Sequence, residues 1–127
     1  MKKVLLDGIW FDSKLEANHY FYLKHHPKIT ILELQKTFEL LEGFKWFDIE
    51  KNKWRKYRDI HYTPDFIIKH EDYDKPIAWE SKGFARKDYN LRKKLFLYKY
   101  GDEYHFLQVH SKKQATEIFG QLKEVDF

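Results

Sequence analysis

The segment 62-YTPDFIIKHEDYDKPIAWESKGF-84 decides the fold. Two short apolar runs flank the turn-like EDYDK, and charged residues stand at the outer ends of both runs. Successive side chains of a strand point to opposite faces. Along the first run Asp65, Ile67 and Lys69 share one face, and Phe66, Ile68 and His70 share the other. Along the second, Ala78, Glu80 and Lys82 share one face, and Ile77, Trp79 and Ser81 the other. If the runs pair as an antiparallel hairpin, burial selects the register. Phe66 and Ile68 then join Ile77 and Trp79 on a continuous apolar face. That choice forces Asp65 onto the face of Glu80 and Lys82. A turn centred near Tyr73-Asp74 sets Asp65 roughly opposite Lys82, with Glu80 diagonal to it. Two carboxylates and one ammonium converge within about 5–8 Å, the span of cross-strand and diagonal neighbours.

Two carboxylates on adjacent strands make an oxygen-rich site for a hard cation, Mg²⁺ by preference, with Mn²⁺ able to substitute. Such a metal polarises a phosphoryl oxygen and lowers the pKa of a bound water. A lysine beside it orients or deprotonates that water, or neutralises charge growing on the phosphate. This is apparatus for phosphodiester hydrolysis. The competing reading is a solvated salt-bridge cluster worth little. The bare acid-x-lysine pattern recurs in this chain at Asp12-Ser13-Lys14, so the hairpin context carries the chemical reading.

Outward from the hairpin, the pattern is mixed α/β. Val4–Phe11 reads as a short strand or hairpin around Asp7-Gly8. A helix from about Lys14 to His26 is capped by Ser13, with Glu16 at the capping-box spacing, and stopped by Pro27. Ile29–Leu34 and Thr37–Phe47 read as strands, the second bent at Gly43. Asp48–Tyr57 reads as a polar loop. Ile60–His70 and Pro76–Lys82 are strands. A second helix, about Asp88 to Tyr100, carries Leu91, Leu95 and Tyr98 on one stripe and stops at Gly101. Glu103–His110 is a strand, and Ser111 caps a last helix with Ala115, Ile118 and Leu122 along one stripe. The expected architecture is a central mixed β-sheet flanked by helices, in the order α-β-β-β-α-β-α.

The chain has 127 residues, the size of one compact domain with a real core. Aromatics are 19% and charged residues 35%, with a formal net charge of +4. That balance permits a nucleic-acid partner without proving one. The absence of cysteine excludes disulfides and thiolate metal sites and fits an intracellular protein. Seven histidines are present, but no spacing among them points to zinc. No apolar run approaches membrane-spanning length. Asp7 interrupts the amino-terminal apolar run, which makes it a poor signal peptide.

Pro64-Asp65 followed by Glu80-Ser81-Lys82 resembles the signature of the PD-(D/E)XK nuclease superfamily. The likeness extends through 11-FDSKLEANHYFYLK-24, 32-LELQKTFEL-40, 62-YTPDFII-68, 80-ESKGF-84 and a basic helix, from about Trp10 to Val109. These stretches resemble a group of small phage and prophage proteins of that superfamily. The resemblance implies a restriction-endonuclease-like core, Mg²⁺ dependence and DNA cleavage inside a bacterial host. It leaves open whether the substrate is a junction, flap, duplex end or specific site. Relatives in the superfamily include Holliday-junction resolvases, and symmetric cleavage of two strands calls for a homodimer. The implied roles are Asp65 and Glu80 as metal ligands and Lys82 as the water-orienting or charge-neutralising group. Ser81 departs from the pattern, because it sets a polar group where an apolar one is expected.

The resemblance also implies that Glu16, on the first helix, points at the metal. A capping-box glutamate needs no such purpose, so both readings stand. Gln35 resembles a glutamine of the group's pattern. It serves either as a strand-end hydrogen-bonding group or as support for the site. Arg86, Lys87, Arg92, Lys93 and Lys94 crowd the start of the second helix, where cations oppose the helix dipole. Phosphate contact supplies the reason for them, and an ordinary solvated face is the alternative. A second basic set, Lys51, Lys53, Arg55, Lys56 and Arg58, is interleaved with Trp54 and Tyr57, which suits backbone contact plus stacking. A non-catalytic nucleic-acid-binding accessory protein with the same fold is the principal alternative to a nuclease.

Overall fold

The amino-terminal strands Val4–Leu6 (β1) and Ile9–Phe11 (β2) pair antiparallel through the expected Asp7-Gly8 turn. Asp7 and Gly8 both have positive φ, 53° and 75°, as a type I′ turn requires. These and all following features belong to a computed structural model, which describes residues 2–81 and 88–120. Helix α1, Lys14–His25, starts where Ser13 Oγ accepts from Glu16 N at 3.1 Å. The chain continues through Ile29–Leu34 (β3), Phe38–Leu41 (β4), Phe44–Asp48 (β5), Lys53–Tyr57 (β6), Ile60–Tyr62 (β7), Phe66–His70 (β8) and Ile77–Ser81 (β9). Helix α2 (Tyr89–Tyr100), strand β10 (His105–Val109) and helix α3 (Lys112–Phe119) complete it.

The result is mixed α/β. A four-stranded sheet has the order β10-β9-β8-β3, and three two-stranded units, β1-β2, β4-β7 and β5-β6, surround it. Strand β9 runs parallel to β10 and antiparallel to β8. The expected order counted three strands between the first two helices. Among the described residues seven are present, of which β3, β8 and β9 belong to the four-stranded sheet.

The register of β8 on β9 is Phe66↔Trp79, Ile67↔Ala78 and Ile68↔Ile77. Phe66, Ile68, Ile77 and Trp79 therefore share a face, and they pack with Ala17, Tyr20 and Leu23 of α1 and Ala115 of α3. Ile67 and Ala78, on the opposite face, join Phe38, Tyr62, Tyr89 and Phe96 under α2 and the β4-β7 pair. The turn is centred one residue earlier than expected. Continuing the register sets Asp65 opposite Glu80, not Lys82. A two-residue shift preserves the side-chain face, so the carboxylates still meet.

Other boundaries differ for identifiable reasons. The run Ile60–His70 is two strands, because Pro64 has no N–H to donate to a ladder; β7 pairs with β4, and β8 with β3 and β9. Residues 48–57 are not a loop: β6 pairs along the whole of β5, with Asn52 at φ 50° in the turn. The continuous strand expected over Thr37–Phe47 divides into β4 and β5. A side chain at Gly43 would stand 3.2 Å from Tyr57 O, so the backbones approach closely there. Along α2, Leu91 and Tyr98 are exposed, and Tyr89 and Phe96 are buried instead. The larger rings fill the space that the leucine stripe was expected to fill. Leu122 lies outside the described residues.

Ser81 resolves into a specific contact. His19 is fully buried on α1, with Nδ1 2.5 Å from Ser81 Oγ and 3.2 Å from Trp79 Nε1. An indole N–H only donates, so Nδ1 accepts and the ring proton sits on Nε2, 3.4 Å from Ser111 O. Burial pulls the His19 pKa down to about 4. In the unfolded chain it titrates near 6.5. The folded state thus binds fewer protons between these values, and stability is lost as pH falls through that window. The stability gap between the wild-type protein and His19→Asn, read by urea unfolding, is expected to narrow by about 2–3 kcal/mol from pH 6.5 to pH 4. A gap independent of pH contradicts this placement of His19.

Candidate active site

Four of the residues singled out in the sequence meet at one end of β8 and β9. Pro64 ends the β7 segment, so the chain re-enters the sheet at Asp65 with its side chain beside β9. Asp65 Oδ2 accepts from Ser81 N at 2.8 Å. Gln35, just past β3, donates from Nε2 to Glu16 Oε1 at 3.1 Å and lies 3.4 Å from Asp65 Oδ1. Its backbone N–H also bonds Asp65 O at 3.1 Å. Glu80 is buried near the end of β9, and Tyr62 Oη donates to its Oε1 at 2.7 Å. Glu16 is buried in the first turn of α1. The cap there uses its backbone N–H, and its carboxylate turns to Gln35.

Electrostatics bind these groups together. Burial raises the Asp65 pKa, and the hydrogen bond and charge of Glu80 raise it further. The two carboxyl groups, opposite each other in the continued β8–β9 register, feel each other's charge. Burial lifts Glu16 to about 7, helped by the charge of Asp65. Burial and the Glu80 charge hold the Tyr62 hydroxyl protonated well beyond its ordinary range. The site is open to solvent on two sides. A groove of about 480 Å³ is lined by Tyr62, Asp65, Glu80, Tyr89 and Arg92. A second cavity, of about 270 Å³, is lined by Trp10, Asp12, Glu16 and Phe66. Gln35 and Asp65 line both.

The remaining expected residues are dispersed. Lys82, Arg86 and Lys87 lie outside the described residues. Arg92 Nε bonds Asp88 Oδ2 at 2.9 Å and Nη1 bonds His61 O, which fixes the guanidinium at the groove wall. Lys93 Nζ lies 5.1 Å from the centroid of the Phe106 ring, so packing accounts for part of its position. Lys94 is exposed. Among the described residues, no three His, Asp or Glu side chains are arranged to hold a metal ion. Among the described residues, Asp65 and Glu80 are carboxylates that both line the groove. Mg²⁺ is commonly held by one or two carboxylates with waters and substrate phosphates completing its shell.

Tyr62 and His19 were not anticipated. A buried tyrosine needs a partner for its hydroxyl, but the break at Pro64 hides which face Tyr62 takes. His19 had a usable signal: Ser81 on an apolar face demands a polar partner from the helix packed there.

The chain belongs to the DUF1064 family, described as a protein of unknown function, whose model matches residues 1–116. No curated protein and no solved structure matches it.

A raised carboxyl pKa costs stability once the solvent pH passes the unfolded value. Glu16 in the unfolded chain ionises near 4.5 and in the folded chain near 7, so its penalty grows as pH rises through that window and is complete above it. Glu16→Gln keeps the acceptor oxygen for Gln35 and the backbone cap. It is expected to stabilise the metal-free protein by about 1–2 kcal/mol at pH 8, after discounting for solvent screening, and not at pH 4.5. Thermal unfolding at the two pH values checks this; equal effects at both contradict it.

Proposed function

We propose that this protein is a metal-dependent DNA endonuclease with a restriction-endonuclease-like core. The observation that carries the reading is the meeting of Asp65 and Glu80, both desolvated, at the wall of an open groove. Desolvated like charges cost several kcal/mol unless a cation or proton joins them. A fold has no structural need to place two such groups where a ligand can reach them. In this reading Asp65 and Glu80 hold Mg²⁺, which supplies Lewis acidity and a more acidic water.

The chain's own groups set the geometry around that pair. Ser81 N fixes one Asp65 oxygen, and Gln35 faces the other. Tyr62 donates to one Glu80 oxygen, and in this reading the second is free for the metal. Glu16, held by Gln35, is a reserve acceptor for a proton at the opposite side of Asp65. Lys82 follows Glu80 by two residues in sequence, and in this reading its ammonium orients the attacking water or neutralises the phosphorane-like charge. Arg92 lines the groove, and in this reading its guanidinium meets a phosphate. In this reading exposed Lys94 contacts the DNA backbone, and the charge run in the sequence assigns Arg86 and Lys87 the same role.

The purified protein is expected to nick a supercoiled or branched DNA with Mg²⁺ or Mn²⁺ and not with chelator. Lys82→Ala is expected to retain DNA binding and lower the nicking rate at least about a hundredfold, the scale of one positioned acid–base or charge-stabilising group. Calorimetric titration with Mn²⁺ should show binding that disappears in Asp65→Asn and in Glu80→Gln. DNA binding without metal-dependent nicking on any linear or branched substrate points instead to a binding protein that keeps the fold alone.

A further inference from the structure

The β5–β6 hairpin takes no part in either core. Its side chains are exposed apart from Asp48 and the half-buried Arg55. Exposed hydrophobic side chains normally occur singly, yet Phe44, Trp46, Phe47, Trp54 and Tyr57 are all exposed here, Trp54 by 66%. Between Phe44 and Tyr57 five lysines and arginines face two acids, an excess of +3 in a chain whose total is +4. One of those acids, Asp48, is consumed inside the ribbon: Oδ1 accepts from Glu50 N and Oδ2 pairs with Arg55.

The register interleaves the two residue types. Lys45 stands opposite Lys56, and Phe47 opposite Trp54, on one face. Phe44 opposite Tyr57, stacked at 5.1 Å, and Trp46 opposite Arg55 occupy the other. At the ribbon's base a cleft of about 730 Å³ is lined by Phe44, Lys45, Lys56, Tyr57 and Arg58. Asp59 lines both this cleft and the carboxylate groove, so the two adjoin.

We propose that this ribbon is an arm that binds an unpaired polynucleotide strand, phosphates on its lysines and bases on its exposed rings. It gives the neighbouring groove a substrate with single-stranded character. Only that last step rests on the nuclease reading; binding rests on the ribbon itself. Charge decides the occupant. A second copy would bring +3 against +3, and lysines along a strand edge oppose edge-to-edge pairing, whereas a polyanion is complementary. The rings decide between strand forms. In a duplex the bases are stacked on each other and offer nothing to Trp46 or Trp54, whereas every unpaired base presents a π-face.

Fluorescence anisotropy of the full chain in chelator tests this with a labelled oligothymidylate, an oligouridylate and a blunt duplex. The Trp46→Ala/Trp54→Ala variant is expected to lose about tenfold in affinity for at least one of the single strands and less than about twofold for the duplex. Lys45→Gln/Lys56→Gln is expected to weaken both forms and flatten the log–log salt slope by about one unit per lost contact. The melting temperature should hold in both variants. Unchanged single-strand binding in the tryptophan variant overturns the proposal. So does an equal loss for duplex, or a wild-type dimer in sedimentation that the variant dissolves. Absence of nicking with this binding pattern intact overturns only the nuclease reading.

Discussion

The pairing of β8 with β9 in the register Phe66↔Trp79 is the constraint on which the rest depends. Four large side chains, Phe66, Ile68, Ile77 and Trp79, are at most 1% exposed on one face of that pair. At about 1.5–3 kcal/mol each, their burial outweighs the few kcal/mol that two approaching carboxyl groups cost. A slip by one residue would move the shifted strand's large side chains to the opposite face, where Ile67 and Ala78 already fill the core under α2. The sheet therefore keeps this face at the helices and accepts Asp65 beside Glu80 as the consequence.

That consequence is then managed locally. Each carboxyl group of the cluster has a donor from a different element: Ser81 N from β9, the Gln35 amide from the end of β3, and the Tyr62 hydroxyl from β7. Gln35 holds φ 56° to do so. The other non-glycine residues with positive φ, Asp7 and Asn52, turn hairpins. Gln35 instead holds its conformation at the carboxylates, and strain of this kind costs on the order of 1–3 kcal/mol and collects at functional sites. The donors relieve the cluster without neutralising it. Asp65 and Glu16 still sit well above ordinary carboxylates, which leaves the site with an unspent affinity for positive charge.

Much of this was legible in the residues. Face parity depends only on the alternation of FII and IAW, so the joining of Asp65 and Glu80 survived a two-residue error in the register. Ser13 marked the start of α1, and Asp7-Gly8 marked the first hairpin. The misreadings came where composition masks pattern. Residues 48–57 are so rich in lysine and arginine that their alternation with Trp54 and Tyr57 did not read as a strand. Along α2, Leu95 of the expected stripe does pack against the core, but Leu91 and Tyr98 do not, because Tyr89 and Phe96 are buried there instead. Tyr62 and His19 depend on which elements pack together, and no local spacing encodes that. The metal was read from the paired carboxylates and the basic surface from the charge runs, whereas the restriction-endonuclease-like core and DNA cleavage entered through resemblance; all of these stand as the proposal.

Folding desolvates these carboxyl groups and couples them across three elements. Carbon-detected NMR titration of the side-chain carboxyls in metal-free protein tests this most directly. The account predicts that Glu16 titrates at about 7, that Asp65 lies far above the usual range, and that Asp65→Asn moves Glu16 downward. Glu16 and Asp65 both titrating near 4, each indifferent to loss of the other, would contradict it.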